Sequence, residues 1–132
     1  MVGLTYEPQS GLAAKVENSE ELGIWIRISS DGTTTFIIPS SEMGQGVNTS
    51  LSMILAEEME ADWQMIKTET APVSSNYINP ESNSGQMTAG SSSVKGFWDP
   101  LRKAGAAVRL MLQKAAAQKW EISIEECVAK SG

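Results

Sequence analysis

A chain of 132 residues with 41% hydrophobic and 20% charged residues has enough apolar material for one folded domain, and too little length for two cores. Its net charge of -6 disfavours nucleic acid and anionic membrane surfaces as partners, since both would repel it. The chain contains no histidine, which excludes Ser-His pairs, Cys-His pairs and histidine-ligated zinc from its own residues. No apolar run approaches the roughly 20 residues needed to span a bilayer, so we expect no transmembrane segment here.

The first predicted elements are an irregular lead-in over residues 1–22 and a β-hairpin. Residues 1–22 mix Gly, Pro, Ser and charge without a period. The alternation Ile-Trp-Ile-Arg-Ile over residues 24–28 predicts a strand with its isoleucines on one face, and a glycine-bearing turn leads to a β-branched return strand, residues 33–38. Trp25 and Phe36 are expected to serve the opposite face, where other parts of a longer protein would dock.

A helix and a third strand are predicted next. A loop over residues 40–46 leads into a helix over residues 47–60, because apolar side chains recur there at steps of three and four. These apolar positions are Leu51, Ile54, Leu55 and Met59. Residues 65–70 are predicted as a strand. The connection over residues 71–93 is rich in Ser, Asn, Pro and Gly, and a connection of that length is typical of a functional or disordered segment.

The second predicted helix runs from about Phe97 to Lys119, with Pro100 in its first turn. Its apolar positions are Leu101, Ala104, Val108, Met111 and Ala115. The Ala-Gly-Ala-Ala segment at residues 104–107 offers a small-residue face that would let the helix lie close to another backbone. The lone Cys127, which is next to an apolar valine, is predicted to be a buried structural thiol.

The element order β-β-α-β-α predicts an α+β fold, with two helices packed on one face of a small mixed sheet. We assign this domain to residues 23–132. The Lys-Ser-Gly ending has the composition of a turn before another strand, so the domain is expected to be truncated at its C-terminus.

Two loops carry the candidate binding chemistry. In Glu-Met-Gly-Gln-Gly, residues 42–46, free backbone N–H groups and the start of a helix would favour an anion, and two glycines would let a ligand approach the backbone. Thr-Ala-Gly-Ser-Ser-Ser, residues 88–93, offers hydroxyl and backbone donors before the second helix. Taken separately, each loop is better interpreted as a structural turn or a helix cap.

Charged residues near these loops leave two interpretations open. Lys95, Arg102 and Lys103 surround the start of the second helix, where they would either neutralise phosphate or lie in water. The acidic residues over 57–62 fall at a helix C-terminus, where their charge opposes the helix dipole. We interpret them as a solvated helix end rather than a metal site.

The ordered combination of four segments resembles the molybdopterin-binding subunit of the molybdenum hydroxylases, the xanthine oxidase and aldehyde oxidoreductase family. The resemblance is closest to the large subunit of isoquinoline 1-oxidoreductase and related aldehyde dehydrogenases, and it covers the chain from about Gly23 onward. The four segments are Pro-Ser-Ser-Glu-Met-Gly-Gln-Gly-Val-Asn-Thr at 39–49, Ala-Glu-Glu-Met-Glu-Ala-Asp-Trp at 56–63, Thr-Ala-Gly-Ser-Ser-Ser at 88–93 and Trp-Asp-Pro-Leu-Arg-Lys-Ala-Gly-Ala at 98–106.

This resemblance implies a molybdenum–molybdopterin cofactor, in bacteria usually the cytosine dinucleotide form, and an oxidoreductase that hydroxylates aldehydes or N-heterocycles using water. By position, seven residues match family residues at the cofactor. They are Met43, Gly44, Gln45, Gly46, Gly90, Ser91 and Ser93. The implied partners are the remainder of the molybdenum subunit and an iron-sulfur subunit or domain that carries 2Fe-2S clusters.

Neither the cluster cysteines nor the family's glutamate base is identifiable in this chain, so the fragment is expected to be inactive by itself. The parent protein is expected to be periplasmic by resemblance, and cytoplasmic otherwise. Two other functions remain open: a ligand-free interaction or scaffold domain, and a stand-alone phosphate or nucleotide binder. The two loops would lie far apart in the first of these, and the isolated chain would bind a phosphate ligand measurably in the second.

Overall fold

A computed structural model of the chain describes residues 19–82 and 85–132, with side chains from residue 22 onward. The strands are β1 (Ser19–Glu21), β2 (Ile26–Ser29), β3 (Thr34–Ile38) and β4 (Ile66–Thr70). The helices are α1 (Val47–Met59) and α2 (Ser93–Trp120). The predicted α+β fold, with a small mixed sheet and two helices, is confirmed.

The sheet has the strand order β1-β2-β3-β4. β1, β2 and β3 pair antiparallel, and β4 joins β3 in parallel after the chain has crossed over through α1. β1 falls within the predicted irregular lead-in, where the three residues of the strand are too few to show an alternating pattern. Residues 1–18 of that lead-in lie outside the described residues.

The core lies between the sheet and the two helices. Ile26 and Phe36 are paired across β2 and β3, and cross-strand partners share a face, so Phe36 joins the isoleucine side with 0% exposure. The helices cover this side with Leu51, Leu55 and Leu101. The expectation that Phe36 serves an open docking face is therefore wrong.

Trp25 also packs inward rather than toward an open face. Its ring lies edge-on to Tyr77, with 5.2 Å between the ring centroids, and edge-on to Phe97 of α2 at 5.9 Å. The Tyr77 hydroxyl donates to the Ile24 carbonyl at 2.8 Å. Trp25 thus joins the start of β2 to the connection before α2 and to α2 itself, an arrangement that strand alternation alone does not reveal.

α2 begins four residues earlier than predicted, at Ser93, and ends one residue later. Pro100 consequently lies inside the helix rather than in its first turn. Because proline has no backbone N–H, the Gly96 carbonyl lacks its usual helical hydrogen-bond donor. Of the predicted core positions, Leu101 and Val108 are buried, and Ala104 is partly buried against the core.

Beyond Val108 the two remaining predicted core positions are exposed. Met111 is 40% exposed, and Ala115 is also exposed, so neither belongs to the core. The periodicity at these two positions therefore indicates the helix correctly but not its buried face.

The close helix crossing predicted from the small-residue segment is confirmed at Gly105. A Cβ atom there would lie 2.8 Å from the Leu55 carbonyl oxygen and 2.9 Å from Glu58 Cβ. Glycine is needed at this position because the backbones of α1 and α2 are already in contact.

The acidic end of α1 is neutralised from α2. Arg102 Nη2 lies 2.5 Å from Glu58 Oε1, and Arg109 Nη1 lies 3.9 Å from Glu60 Oε1. These ion pairs offset the unfavourable charge of the carboxylates at this helix C-terminus.

Two of the remaining segments contain short 3-10 turns. The long connection contains a short 3-10 turn at Ser75–Tyr77, and another such turn, Ile124–Glu126, follows α2. Cys127 is a buried free thiol, as predicted. Within the described residues, no helix combines the length and the hydropathy required to cross a membrane.

Candidate functional site

The first candidate loop joins β3 to α1 and turns sharply at its glycines. Gly44 has φ of 92° and Gly46 has φ of 80°, left-handed values that other residues rarely adopt. Gly46 is also the N-cap residue of α1, and it has no side chain with which to cap the helix. The loop therefore needs a cap from elsewhere.

Glu42 supplies that cap. Its Oε1 accepts hydrogen bonds from the N–H groups of Gly44 at 2.8 Å and Gly46 at 2.9 Å, and its Oε2 accepts from Asn48 N–H at 3.0 Å. These bonds, foremost the one from Asn48, hold the pKa of Glu42 below its ordinary value. The backbone donors that were expected to be free for an external anion are thus occupied by the loop's own carboxylate.

Gln45 closes the other side of the loop. Its Oε1 accepts from Met43 N–H at 2.5 Å, and its Nε2 donates to the Ser41 carbonyl at 2.8 Å. A primary amide has two N–H donors and two lone pairs, so Gln45 retains one of each for a ligand. The Met43 side chain is 69% exposed and extends from the loop into solvent.

The second candidate loop ends at the first residue of α2. Gly90 and Ser91 both have left-handed φ values, 63° and 54°, and both are exposed. Ser92 Oγ donates to the Ala89 carbonyl at 2.8 Å. Ser93 is buried in the first turn of α2, so its hydroxyl is less accessible than those of its neighbours.

A buried asparagine supports this second loop from beneath. Asn79, which is 1% exposed, donates through Nδ2 to Ser92 Oγ at 3.0 Å and accepts from Glu81 N–H at 2.9 Å. Gly96 leaves room for it, since a Cβ atom there would lie 1.9 Å from Asn79 Oδ1. The start of α2 therefore packs against the Asn79 amide and is hydrogen-bonded to it.

A hydrogen bond joins the two loops. The Ser41 N–H donates to Thr88 Oγ1 at 2.8 Å, across 47 positions of sequence. Met43 and Gly90 each follow that bond by two residues, which at full extension span about 7 Å of chain. The bond thus places the beginnings of both loops side by side on one part of the surface.

Two of the three cations near α2 are engaged in ion pairs. Lys95 Nζ lies 2.6 Å from Glu81 Oε2, and the Arg102 guanidinium, already paired with Glu58, lies 5.6 Å from the centre of the Trp98 ring. Lys103 is exposed. The ion pairs of Lys95 and Arg102 account for these two cations, so neither requires a phosphate ligand to balance its charge.

A surface groove of about 470 Å³ lies between α1 and the edge strand β4. Its lining includes none of the seven predicted cofactor residues. Its lining residues are Asn48, Thr49, Ser52, Trp63, Ile66, Lys67 and Thr68. The Ser52 side-chain oxygen is buried and has no hydrogen-bond partner within the described part of the chain.

Sequence reasoning missed the structural roles of Glu42, Thr88 and Asn79. Glu42 and Thr88 stood within the quoted motifs, but a pattern of residue types does not show that a carboxylate folds back onto the backbone. Asn79 followed by Pro80 was a turn signal in a long connection, and nothing in the local pattern marked its burial.

Comparison with known proteins identifies the family. A family model described as the molybdopterin cofactor-binding domain matches residues 2–132, and the chain belongs to this family. It is 34% identical over 131 residues, 98% of the chain, to the beta subunit of isoquinoline 1-oxidoreductase from Brevundimonas diminuta. It is 38% identical over 109 residues, 82% of the chain, to a membrane-bound aldehyde dehydrogenase (pyrroloquinoline-quinone) of Gluconacetobacter polyoxogenes.

A third relative is one of the subunits of nicotinate dehydrogenase from Pseudomonas putida, 34% identical over 119 residues and 83% of the chain. The matched part spans only 16%, 13% and 9% of the lengths of these three proteins, in the order given. The resemblance to the molybdopterin-binding family, expected from the motifs, is confirmed, and the relatives include isoquinoline and aldehyde oxidoreductases, as the motifs predicted.

Proposed function

We propose that this chain forms one wall of the molybdenum-cofactor site of a larger oxidoreductase, which hydroxylates aldehydes or N-heterocycles using water. The family assignment and the names of the relatives support this proposal. The observation that carries it is the Ser41–Thr88 hydrogen bond, which joins the two loops that the motifs assign to the cofactor.

The residues proposed to hold the cofactor are Met43, Gly44, Gln45, Gly46, Gly90, Ser91 and Ser93. Their chemistry fits a pterin, whose ring nitrogens and carbonyl need neutral donors and acceptors at close range. Gln45 offers a spare amide N–H and a lone pair, and exposed Ser91 offers a hydroxyl beside the left-handed turn at Gly90. Exposed Met43 provides an apolar, polarisable contact.

These residues bind and orient rather than react. When bound, the cofactor supplies the two-electron oxidation, and the loops fix its orientation through backbone, amide and hydroxyl groups. Because Glu42 occupies the donors before α1, we assign the polar contacts to the loop tips and not to the start of that helix. The remaining walls are proposed to come from the rest of the molybdenum subunit.

Three finer points belong to the same proposal. The cofactor is proposed to be the cytosine dinucleotide form, and the electrons are proposed to leave through 2Fe-2S clusters on a partner subunit or domain. The chain alone is proposed to be inactive, since it offers one wall of a site and no base assigned to the reaction.

The test is the cofactor content of the full-length subunit that contains this segment. Molybdenum is measured by elemental analysis and pterin by the fluorescence of its oxidised, released form, in the wild type and in Gln45→Leu. Gln118→Leu, an exposed position on α2, is the matched control. We expect about one molybdenum and one pterin per wild-type subunit and a clear loss of both in Gln45→Leu only.

Two outcomes would reject the proposal. A wild-type subunit without molybdenum and pterin would reject the cofactor class, and pyrroloquinoline quinone in its place would favour the cofactor in the name of the Gluconacetobacter relative. Full cofactor content in Gln45→Leu would reject the assignment of this loop to the site.

A further inference from the structure

The nest of N–H groups before α1 is filled from within the chain. Backbone that alternates between right- and left-handed conformations turns successive N–H groups toward one point, and such nests bind anions. Here the left-handed residues are Gly44 and Gly46, and the bound anion is the carboxylate of Glu42, four residues before Gly46. Both carboxylate oxygens are used, since Oε2 accepts from Asn48 in the first turn of α1.

α1 itself supplies no acidic cap. The first turn of α1 contains no acidic residue, and Gly46 makes no side-chain capping bond. A carboxylate at a helix N-terminus is stabilised by the exposed N–H groups and by the helix dipole. The lowered pKa of Glu42 agrees with this arrangement.

The hydrogen bonds of Glu42 also fix the position of the loop tip, residues 43–45. With the Glu42 carboxylate fixed beneath the backbone, residues 43–45 pass over it, and the Gln45 amide bridges Met43 N–H and the Ser41 carbonyl. Ser41 is the residue that bonds Thr88 of the second loop. The carboxylate therefore lies under the segment that links the proposed cofactor contacts to the other loop.

We propose that Glu42 is a positioning residue, which holds the first loop in its binding shape before the cofactor arrives and keeps anionic groups of the cofactor out of the nest. This inference rests on the proposed function, because it assigns Met43 and Gln45 to the cofactor. It differs from an anion-site interpretation of the loop, in which phosphate would displace the carboxylate and occupy the nest itself.

The experiment uses the full-length subunit with Glu42→Gln, Glu42→Ala and the control Glu57→Gln, an exposed glutamate on α1 that loses the same charge. Amide hydrogen exchange over residues 43–48 is measured in cofactor-free protein, and molybdenum and pterin content in protein matured with cofactor. Thermal unfolding shows whether each variant is folded.

We expect Glu42→Ala to exchange about tenfold faster over this segment, the fold-change expected for removal of a charge-assisted hydrogen bond, and to retain much less cofactor. Glu42→Gln should recover part of both, since its carbonyl still accepts from the glycine N–H groups while its NH₂ cannot accept from Asn48. Glu57→Gln should match the wild type in exchange and in cofactor content.

Three results would overturn the inference. One is unchanged exchange in Glu42→Ala, which would show that the carboxylate does not hold the loop. Another is fast exchange with full cofactor content, and the third is higher cofactor content in Glu42→Ala, the signature of a nest made available to phosphate. If the wild type carries no molybdenum, the proposed function fails, whereas the exchange result still decides whether Glu42 holds the loop.

Discussion

The backbone N–H of Ser41 donates to Thr88 Oγ1 at 2.8 Å, and this bond ties the loop before α1 to the loop before α2. Each loop by itself has the features of an ordinary turn. Joined, they form one surface made from segments that lie 47 positions apart. The proposed cofactor surface depends on this pairing more than on any single residue.

Replacing Thr88 with Val should uncouple the loops. Valine matches the shape of threonine but cannot accept from Ser41 N–H, and we expect a loss of about 1 kcal/mol in the free energy of unfolding together with lower cofactor content. Urea unfolding and molybdenum analysis of the full-length subunit measure the two effects. Thr88→Ser keeps the hydroxyl and should stay near the wild type, and Thr70→Val on exposed β4 controls for the substitution. Equal cofactor content in Thr88→Val and the wild type would contradict this role.

Gly105→Ala should destabilise the domain in spite of the better helix propensity of alanine. A Cβ atom would lie 2.8 Å from the Leu55 carbonyl oxygen, a backbone atom that moves only with α1. Overpacking of this kind costs roughly 1–3 kcal/mol, against a propensity gain of up to about 1 kcal/mol. Denaturant unfolding gives the net effect, and Ala107→Leu, which adds volume at an exposed site of the same helix, should be nearly neutral. A more stable Gly105→Ala would show that the helices do not cross so closely.

Asn79→Ala should weaken the start of α2. The substitution removes a buried amide that bonds Ser92 Oγ and Glu81 N–H, and the unsatisfied groups left behind cost about 1–3 kcal/mol. Amide exchange should accelerate over residues 88–96 more than over α1. The exposed Asn76→Ala provides the comparison. Uniform acceleration across the domain would indicate a general loss of stability rather than a local support.

Acid should loosen the first loop through Glu42. Its folded-state pKa lies below the ordinary 4.5, so its hydrogen bonds stabilise the loop fully above pH 4.5, and this contribution is lost as the pH falls through the folded-state value. Exchange protection over residues 43–48, corrected for the intrinsic pH dependence of exchange, should therefore decline below pH 4.5 in the wild type. Glu42→Gln should show no such step. An identical acid profile for the two proteins would exclude Glu42 as the titrating group.

Much of the fold was predictable because it follows from local periodicity. The α1 stripe of Leu51, Ile54, Leu55 and Met59 is buried as predicted, and the strand that became β4 began within one residue of its predicted position. These segments carry their own signal, since the apolar period and the turn residues are properties of neighbouring positions.

The errors arose where distant segments decide the outcome. Phe36 was assigned to the wrong face because its place depends on the register with Ile26, and Trp25 is covered by Tyr77 and Phe97, which alternation along one strand does not contain. α2 begins at Ser93 because buried Asn79 supports its first turn, a contact across 13 positions. None of these relationships is a local property.

In the candidate site, too, some features could be predicted from the sequence and others could not. The glycine positions were identifiable because left-handed backbone favours glycine, and Gly44 and Gly46 have that conformation. The partner of their N–H groups was not identifiable, because the sequence pattern of an anion nest is the same whether a ligand or a neighbouring carboxylate fills it. Only the geometry of Glu42 distinguishes the two.

The most direct measurement is an experimental structure of the full-length subunit loaded with its cofactor. We expect the Gln45 amide and the Gly90–Ser91 turn both to lie within hydrogen-bonding distance, about 3 Å, of one molybdopterin, with Glu42 still bonded to its three N–H groups. A cofactor bound elsewhere, with both loops in contact only with solvent or polypeptide, would contradict the proposed function.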